Sequence, residues 1–201
     1  MQHNILILFA HPRLERSKNH HQLLQYIPKS NGITLHDLYE EYPDFNIDVK
    51  REKELLTQHD IIIWQHPFYW YSIPPLLKQW IDVVFEFGWA YGTGGTALRG
   101  KKVLHVITTG DPETVYAENQ PHSFTIPQLL APLLQTAREC GMEFLPPFVI
   151  HNAHRLPFEE LEKHCRDYYL LLALLQQDNL PLAVIHQHAY INYWVQNKRE
   201  A

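Results

Sequence analysis

Short apolar runs alternate along this chain with longer segments whose apolar positions recur at helical spacing. Ile5-Leu6-Ile7-Leu8-Phe9 is continuous rather than alternating, the pattern of a strand buried on both faces. Ser17 then opens a helical stretch through Leu23-Leu24. A weaker strand from Gly32 to Leu38 precedes a helix from Asp48 to Leu56, with Asp48 as its N-cap. Asp60 to Trp64 is the clearest strand and is expected to stop at His66-Pro67, because proline cannot donate to a ladder. Ser72 to Asp82 carries serine and proline start signals before an apolar helix. Lys102 to Thr108 and Phe144 to Ile150 read as strands, and Pro127 to Cys140 and Glu159 to Leu175 as helices. Five βα units result.

Parallel strands need crossover connections, and those are right-handed, so this alternation predicts a doubly wound α/β fold with helices on both faces of a five-stranded parallel sheet. The expected order is 2-1-3-4-5, which places a ligand crevice at the carboxyl ends of the first, third and fourth strands. One domain, residues 1–178, accounts for these units. Residues 179–201 form a C-terminal extension, apolar enough to pack on a partner subunit or on the chain's own surface, to which the sequence assigns no role.

The three strand ends carry the candidate chemistry. Ala10 to Asn19 runs from strand to helix N-terminus, where unpaired N–H groups, the helix dipole, Ser17, Asn19 and His11 suit a phosphate. Ser17 as a plain helix cap and His11 as a plain strand end is the competing reading. His66 to Ser72 concentrates aromatics after a buried strand, as a wall for a flat ring, a hydrophobic plug or a subunit contact. Thr108-Thr109-Gly110-Asp111 breaks an apolar run into hydroxyls and a glycine, with Tyr116 and His122 following as proton-active groups. No dinucleotide or Walker phosphate motif is present, and Gly92-Thr93-Gly94-Gly95 follows a helix and reads as a turn.

Composition narrows the function classes. With 201 residues, 45% hydrophobic and 19% charged, the chain can bury a sizeable core. A net charge of −5 argues against nucleic acid as a partner. No run approaches the roughly 20 apolar residues of a membrane span, so a soluble cytoplasmic protein is expected. Cys140 and Cys165 lack redox or metal spacing and read as buried thiols. The 14 histidines include His20-His21, His151…His154 and His186-Gln187-His188, but none has zinc-motif spacing, and no metal is expected.

Several motifs in register carry a family resemblance. Ala10-His11-Pro12…Ser17-x-Asn19, then Gln65 to Lys78, Gly88-Trp89-Ala90-Tyr91-Gly92 and Thr108-Thr109-Gly110 resemble the flavodoxin-like NAD(P)H:quinone oxidoreductases. The likeness is strongest to the branch of ancillary subunits of the glutathione-gated potassium efflux system, including Leu38-Tyr39…Tyr42 to Asp48, and extends through Leu145-Pro146-Pro147-Phe148.

The resemblance implies noncovalent flavin, FMN or alternatively FAD, with NAD(P)H as hydride donor and a quinone-like acceptor in a ping-pong cycle. By motif match, His11, Ser17 and Asn19 would hold the phosphate region. Pro67, Phe68, Tyr69 and Trp70 would line the ring, and Thr108, Thr109 and Gly110 would complete its site. Tyr116 and His122 would stabilise charge developing on the flavin. Asp111 stands where the family often has glycine, and its carboxylate would oppose that charge. The resemblance also implies a homodimer with the pocket near its interface. The alternative is a regulatory subunit docked on a potassium efflux transporter at the inner face of the membrane, its redox activity secondary or absent. A flavodoxin-type one-electron carrier fits less well, since such carriers tend to be strongly acidic.

Overall fold

The computed structural model describes residues 2–29, 32–117, 124–177 and 180–200. Strands β1 (Ile5–Phe9), β2 (Ile33–Asp37), β3 (Ile61–Pro67), β4 (Lys102–Thr108), β5 (Glu143–Phe144) and β6 (Phe148–Ile150) form one parallel sheet. Its order is β2-β1-β3-β4-β5, with β6 also on β4, as the alternation of elements predicted.

The continuous apolar runs are buried on both faces with a period of two. Leu6, Leu8, Ile62, Trp64, Val103 and Ile107 face a layer containing α2 (Leu38–Glu41), α3 (Val49–Thr57), α4 (Pro75–Val84), α5 (Ile126–Leu129) and α6 (Ala131–Glu139). Ile5, Ile7, Ile61, Ile63, Leu104 and Val106 face α1 (Lys18–Gln25), α7 (Phe158–Leu175), α8 (Leu182–Ile185) and α9 (Ile191–Glu200). Burying each such side chain contributes roughly 1.5–3 kcal/mol, which is what holds the strand ends in a fixed frame. Asp48 caps α3 through Arg51 N–H at 3.1 Å, as expected. Cys140 and Cys165 are both buried free thiols, and burial pushes them up to about 11 and about 12 respectively.

Proline explains three departures from the predicted elements. β3 ends at His66-Pro67 as expected, but Pro67 stays within the ladder, where it pairs with Thr108. β1 has left the ladder after Phe9 opposite Gln65, and the next residue, Phe68, donates to Thr108 O at 2.9 Å. Successive residues bond to opposite sides, so the donor that Pro67 lacks faces the side β1 has vacated. The fifth strand is split into β5 and β6 by Pro146-Pro147, which can donate to no ladder. The helix expected over 127–140 is two helices, α5 and α6, because the Pro132 ring would meet the carbonyl of Gln128 four residues back. Thr125, with a reciprocal bond to Gln128, caps the first of them.

Residue 178, where the main domain was bounded, lies outside the described residues. Beyond it, Ile185, Ile191, Trp194 and Val195 are buried in the same core as β1 and α7. Asn192 Oδ1 accepts from Val149 N–H at 2.8 Å and its Nδ2 donates to Val149 O at 3.0 Å, closing the outer edge of β6. No helix among the described residues is long and apolar enough to cross a membrane.

Candidate active site

The carboxyl ends of β1, β3 and β4, together with the turn after β6, enclose a cleft of about 740 Å³. His11, Ser17, Asn19, Pro67, Phe68, Tyr69, Trp70, Thr108, Thr109, Gly110 and Tyr116 all line it. His122 lies outside the described residues. Tyr71 of the expected aromatic cluster lines it too, and Arg16, Lys18, Ala153 and His154 also line the cleft without having been assigned to the site from the sequence. Two cations flanking the capping serine were a readable signal for the first pair. Ala153 and His154 arrive through the fold alone.

The first wall is the start of α1. A 3₁₀ turn over Leu14–Arg16 delivers Ser17, whose Oγ accepts from His20 N–H at 3.3 Å. The N–H groups of Lys18 and Asn19 have no acceptor within the helix, so they and the positive end of the dipole favour an anion between Arg16 and Lys18. Asn19 Nδ2 donates to Ala153 O at 2.8 Å, tying this wall to the turn after β6. His11 Nδ1 accepts from Arg13 N–H at 3.1 Å, which leaves the ring proton on Nε2. Burial pulls His11 down to about 4, so at neutral pH it is an uncharged donor.

Behind the cleft the buried histidines are neutral as well. His20 is wholly buried and sits well below its ordinary pKa, through burial first and then His11 and His66. Its Nε2 lies 3.1 Å from Thr108 Oγ1, and its Nδ1 has no partner among the described residues. A bare lone pair costs less than a buried orphan N–H, which assigns the proton to Nε2 and leaves the Thr108 hydroxyl free to donate into the cleft. His66 Nδ1 donates to Pro67 O at 2.9 Å, so its Nε2 accepts from His105 Nδ1 at 2.9 Å. Burial pulls His66 down to about 4, partly offset by the Pro67 bond. This pair fixes the Pro67 carbonyl beneath the aromatic wall.

That wall is a tight hairpin. Ser72 N–H donates to Tyr69 O at 3.1 Å, and Trp70 and Tyr71 take φ of 49° and 64°. Positive φ at both central residues gives the turn the right twist for its arms, yet costs residues bearing Cβ about 1–2 kcal/mol each. The strain holds Trp70 out at the mouth, 91% exposed, while Phe68 at the base is buried.

The third wall follows β4. Thr109 N–H donates to Ile150 O and Ala153 N–H to Thr109 O, each at 2.9 Å, clamping this loop to the turn after β6. Thr109 Oγ1 donates to Asp111 O at 2.9 Å and accepts from His151 Nδ1 at 3.1 Å. Burial drops His151 to about 4. A Cβ on Gly110 would stand in ordinary contact with the His154 ring at 3.7 Å, which places this loop against His154 at the cleft. Tyr116 closes a 3₁₀ turn over Glu113–Tyr116 and is 5% exposed. Its pKa is raised by burial and then by the Asp111 carboxylate, which outweigh the Thr109 side-chain and Asp111 backbone bonds. It is therefore a neutral O–H donor throughout the physiological range. Among the described residues no three His, Cys, Asp or Glu side chains converge as metal ligands.

An anion site at a helix terminus, a flat aromatic wall and a row of neutral donors fit a planar heterocycle with a phosphate arm. Fold and cleft together define a flavodoxin-like α/β protein with its ligand site at the switch point of the sheet. Residues 3–171 match the family described as having a flavodoxin-like fold, and the chain belongs to that family. General stress protein 14 of Treponema denticola, solved in complex with FMN, is 38% identical with a TM-score of 0.80, covering 86% of this chain and 99% of that one. An NADPH-quinone reductase from P. pentosaceus is 31% identical with a TM-score of 0.78, covering 88% and 99% respectively. A chain from the crystal structure of a thermophilic tryptophan halogenase of Streptomycin violaceusniger is 43% identical with a TM-score of 0.79, covering 81% and 95%.

Proposed function

We propose that this protein is a flavin-dependent NAD(P)H:quinone oxidoreductase holding FMN noncovalently. The observation that carries the reading is the meeting of phosphate site, aromatic wall and donor edge in one cleft. Ser17, Asn19 and the free N–H groups of α1 would hold the phosphate, with Arg16 and Lys18 adding charge and His11 a neutral donor. Pro67, Phe68, Tyr69 and Trp70 would line the ring, and Thr108, Thr109 and Gly110 its polar edge. FMN, the group bound in the Treponema relative, supplies two-electron redox chemistry between NAD(P)H and a quinone or related electrophile.

The chain's own task is positioning and charge placement. Tyr116, kept protonated by burial and by Asp111, donates toward the edge where negative charge accumulates, and His122 is the proposed second donor. Both flat reactants would enter by the mouth beside Trp70 and Tyr71, which supports alternate occupancy and a ping-pong order. Exposed Trp70 and Phe87 support a homodimer with the cleft near its interface. The FMN complex of the Treponema relative and the NADPH-quinone reductase both agree with the cleft's chemistry. The test is the visible spectrum of the purified protein, followed by quinone-dependent NAD(P)H oxidation. A yellow protein with turnover is expected; one that takes up neither FMN nor FAD overturns the reading.

A further inference from the structure

The family match ends at residue 171, yet the chain continues through α8 and α9, and that segment reaches the loop carrying Tyr116. Its base is rigid. Asn192 is fixed on Val149, Ile191 N–H donates to Pro147 O at 3.1 Å, and Arg199 Nη1 meets Asp167 Oδ1 at 2.7 Å on α7. From this base one side chain reaches the loop over 109–116 directly and a second backs it through His151. The Tyr193 hydroxyl donates to the Glu113 carboxylate at the start of the 3₁₀ turn that ends in Tyr116. The Tyr190 ring lies 5.4 Å from the His151 ring, which lies 5.7 Å from the Tyr116 ring and bonds Thr109 through Nδ1. The Tyr190 and Tyr193 rings pack on each other at 5.9 Å, so the two grips act together.

We propose that residues 180–200 form a strap that sets the position of Tyr116 at the flavin edge, with Tyr190 and Tyr193 as positioning residues acting through His151 and Glu113. The inference rests on Tyr116 being the donor argued above. Thr109 and Asp111 hold the loop ahead of the 3₁₀ turn and bond Tyr116 at its end; the strap adds a hold at Glu113 through Tyr193 and backs the His151 ring, which packs beside Tyr116, with Tyr190. Donor geometry is where such a clamp matters, because misplacement by a fraction of an ångström weakens a hydrogen bond made as charge develops.

The test uses the full chain reconstituted with FMN, in Tyr193→Phe, Glu113→Gln and Tyr190→Leu variants, with Tyr116→Phe as reference. Tyr193→Phe keeps the ring and its packing, so folding is preserved. Amide hydrogen exchange over 109–116 is measured with and without FMN, alongside the flavin midpoint potential and the single-turnover rate of reduction by NADPH. Tyr193→Phe and Glu113→Gln are expected to speed exchange over 113–116 and slow reduction, each by about 3- to 10-fold, with the double variant no worse than either. Their shift in potential should have the sign of the Tyr116→Phe shift and vanish in a Tyr116→Phe background. Wild-type exchange, potential and rate in Tyr193→Phe, Tyr190→Leu and Glu113→Gln beside a slow Tyr116→Phe protein would overturn the strap alone. A Tyr116→Phe protein as fast as wild type would instead overturn the donor reading beneath it.

Discussion

Glu52 and the histidines behind the cleft are equally buried, but their polar atoms are completed to different degrees. Glu52, on α3, is inaccessible, and its carboxylate is met by His36 Nε2 at 3.0 Å, Trp80 Nε1 of α4 at 2.7 Å and the Tyr42 hydroxyl. Burial pushes its pKa up, yet the bonds from His36 and Tyr42 more than offset this and the net shift is downward. His20, His66 and His105 are wholly buried and neutral, and their hydrogen-bond chains end on ring nitrogens with no partner among the described residues, His20 Nδ1 and His105 Nε2. A charge taken out of water must be fully answered, and the Glu52 cluster is a lock joining β2, α2, α3 and α4. Neutral rings tolerate an unanswered lone pair and serve to orient Thr108 and Pro67 without adding charge beside the proposed flavin site.

The largest effect expected from breaking this contrast is on the lock. Glu52→Ala would leave three buried donors unpaired and cost about 3–5 kcal/mol of stability, read from urea unfolding. Flavin reduction by the folded fraction should keep its wild-type rate; a selective loss of rate would merge the two regions. Next, Tyr116→Phe should slow flavin reduction about 100-fold, the scale for one preorganised donor, while FMN retention stays near wild type.

Acid separates the regions by window. His66 in the unfolded chain titrates near 6.5, but in the fold only near about 4, so the unfolded state binds more protons between those values. Stability is therefore intact above 6.5 and falls as pH drops toward about 4, by roughly 1.4 kcal/mol per pH unit for each such histidine. The depressed Glu52 acts lower: its contribution is complete above the unfolded value of 4.5 and is lost as pH falls through its folded value. Urea titrations from neutral to acidic pH should show the histidine loss first, and Glu52→Gln should leave that upper slope unchanged. The smallest effect concerns Asp111. Asp111→Gly keeps the backbone carbonyl that Thr109 and Asn152 use and removes the carboxylate, so reduction should speed up about 2- to 3-fold. A slower variant would mean that holding Tyr116 protonated matters more than the charge it adds.

What was legible in the sequence follows from how local each cause is. The runs Ile5 to Phe9 and Ile61 to Trp64 announce strands buried on both faces because every position is apolar, and the loops that end them necessarily gather at one edge of a parallel sheet. That brought eleven of the twelve proposed site residues into one cleft, with His122 outside the described residues. Proline was read too locally. Pro67 is compatible with β3 only because β1 has already turned away, and that depends on the neighbour rather than on the run itself. The histidine pairs and the C-terminal segment were opaque for a related reason. Asn19 meets Ala153 across 134 positions and Tyr193 meets Glu113 across 80, and no periodicity encodes such meetings.

The amide of Asn192 bears on synthesis as well as on architecture. It occupies both outward-facing backbone groups of Val149, as another chain's strand would. A ribosome delivers residue 192 after every strand has emerged. Until it arrives, the outward N–H and C=O of Val149 are open to a neighbouring chain's strand, and the helix that carries Asn192 is what covers them.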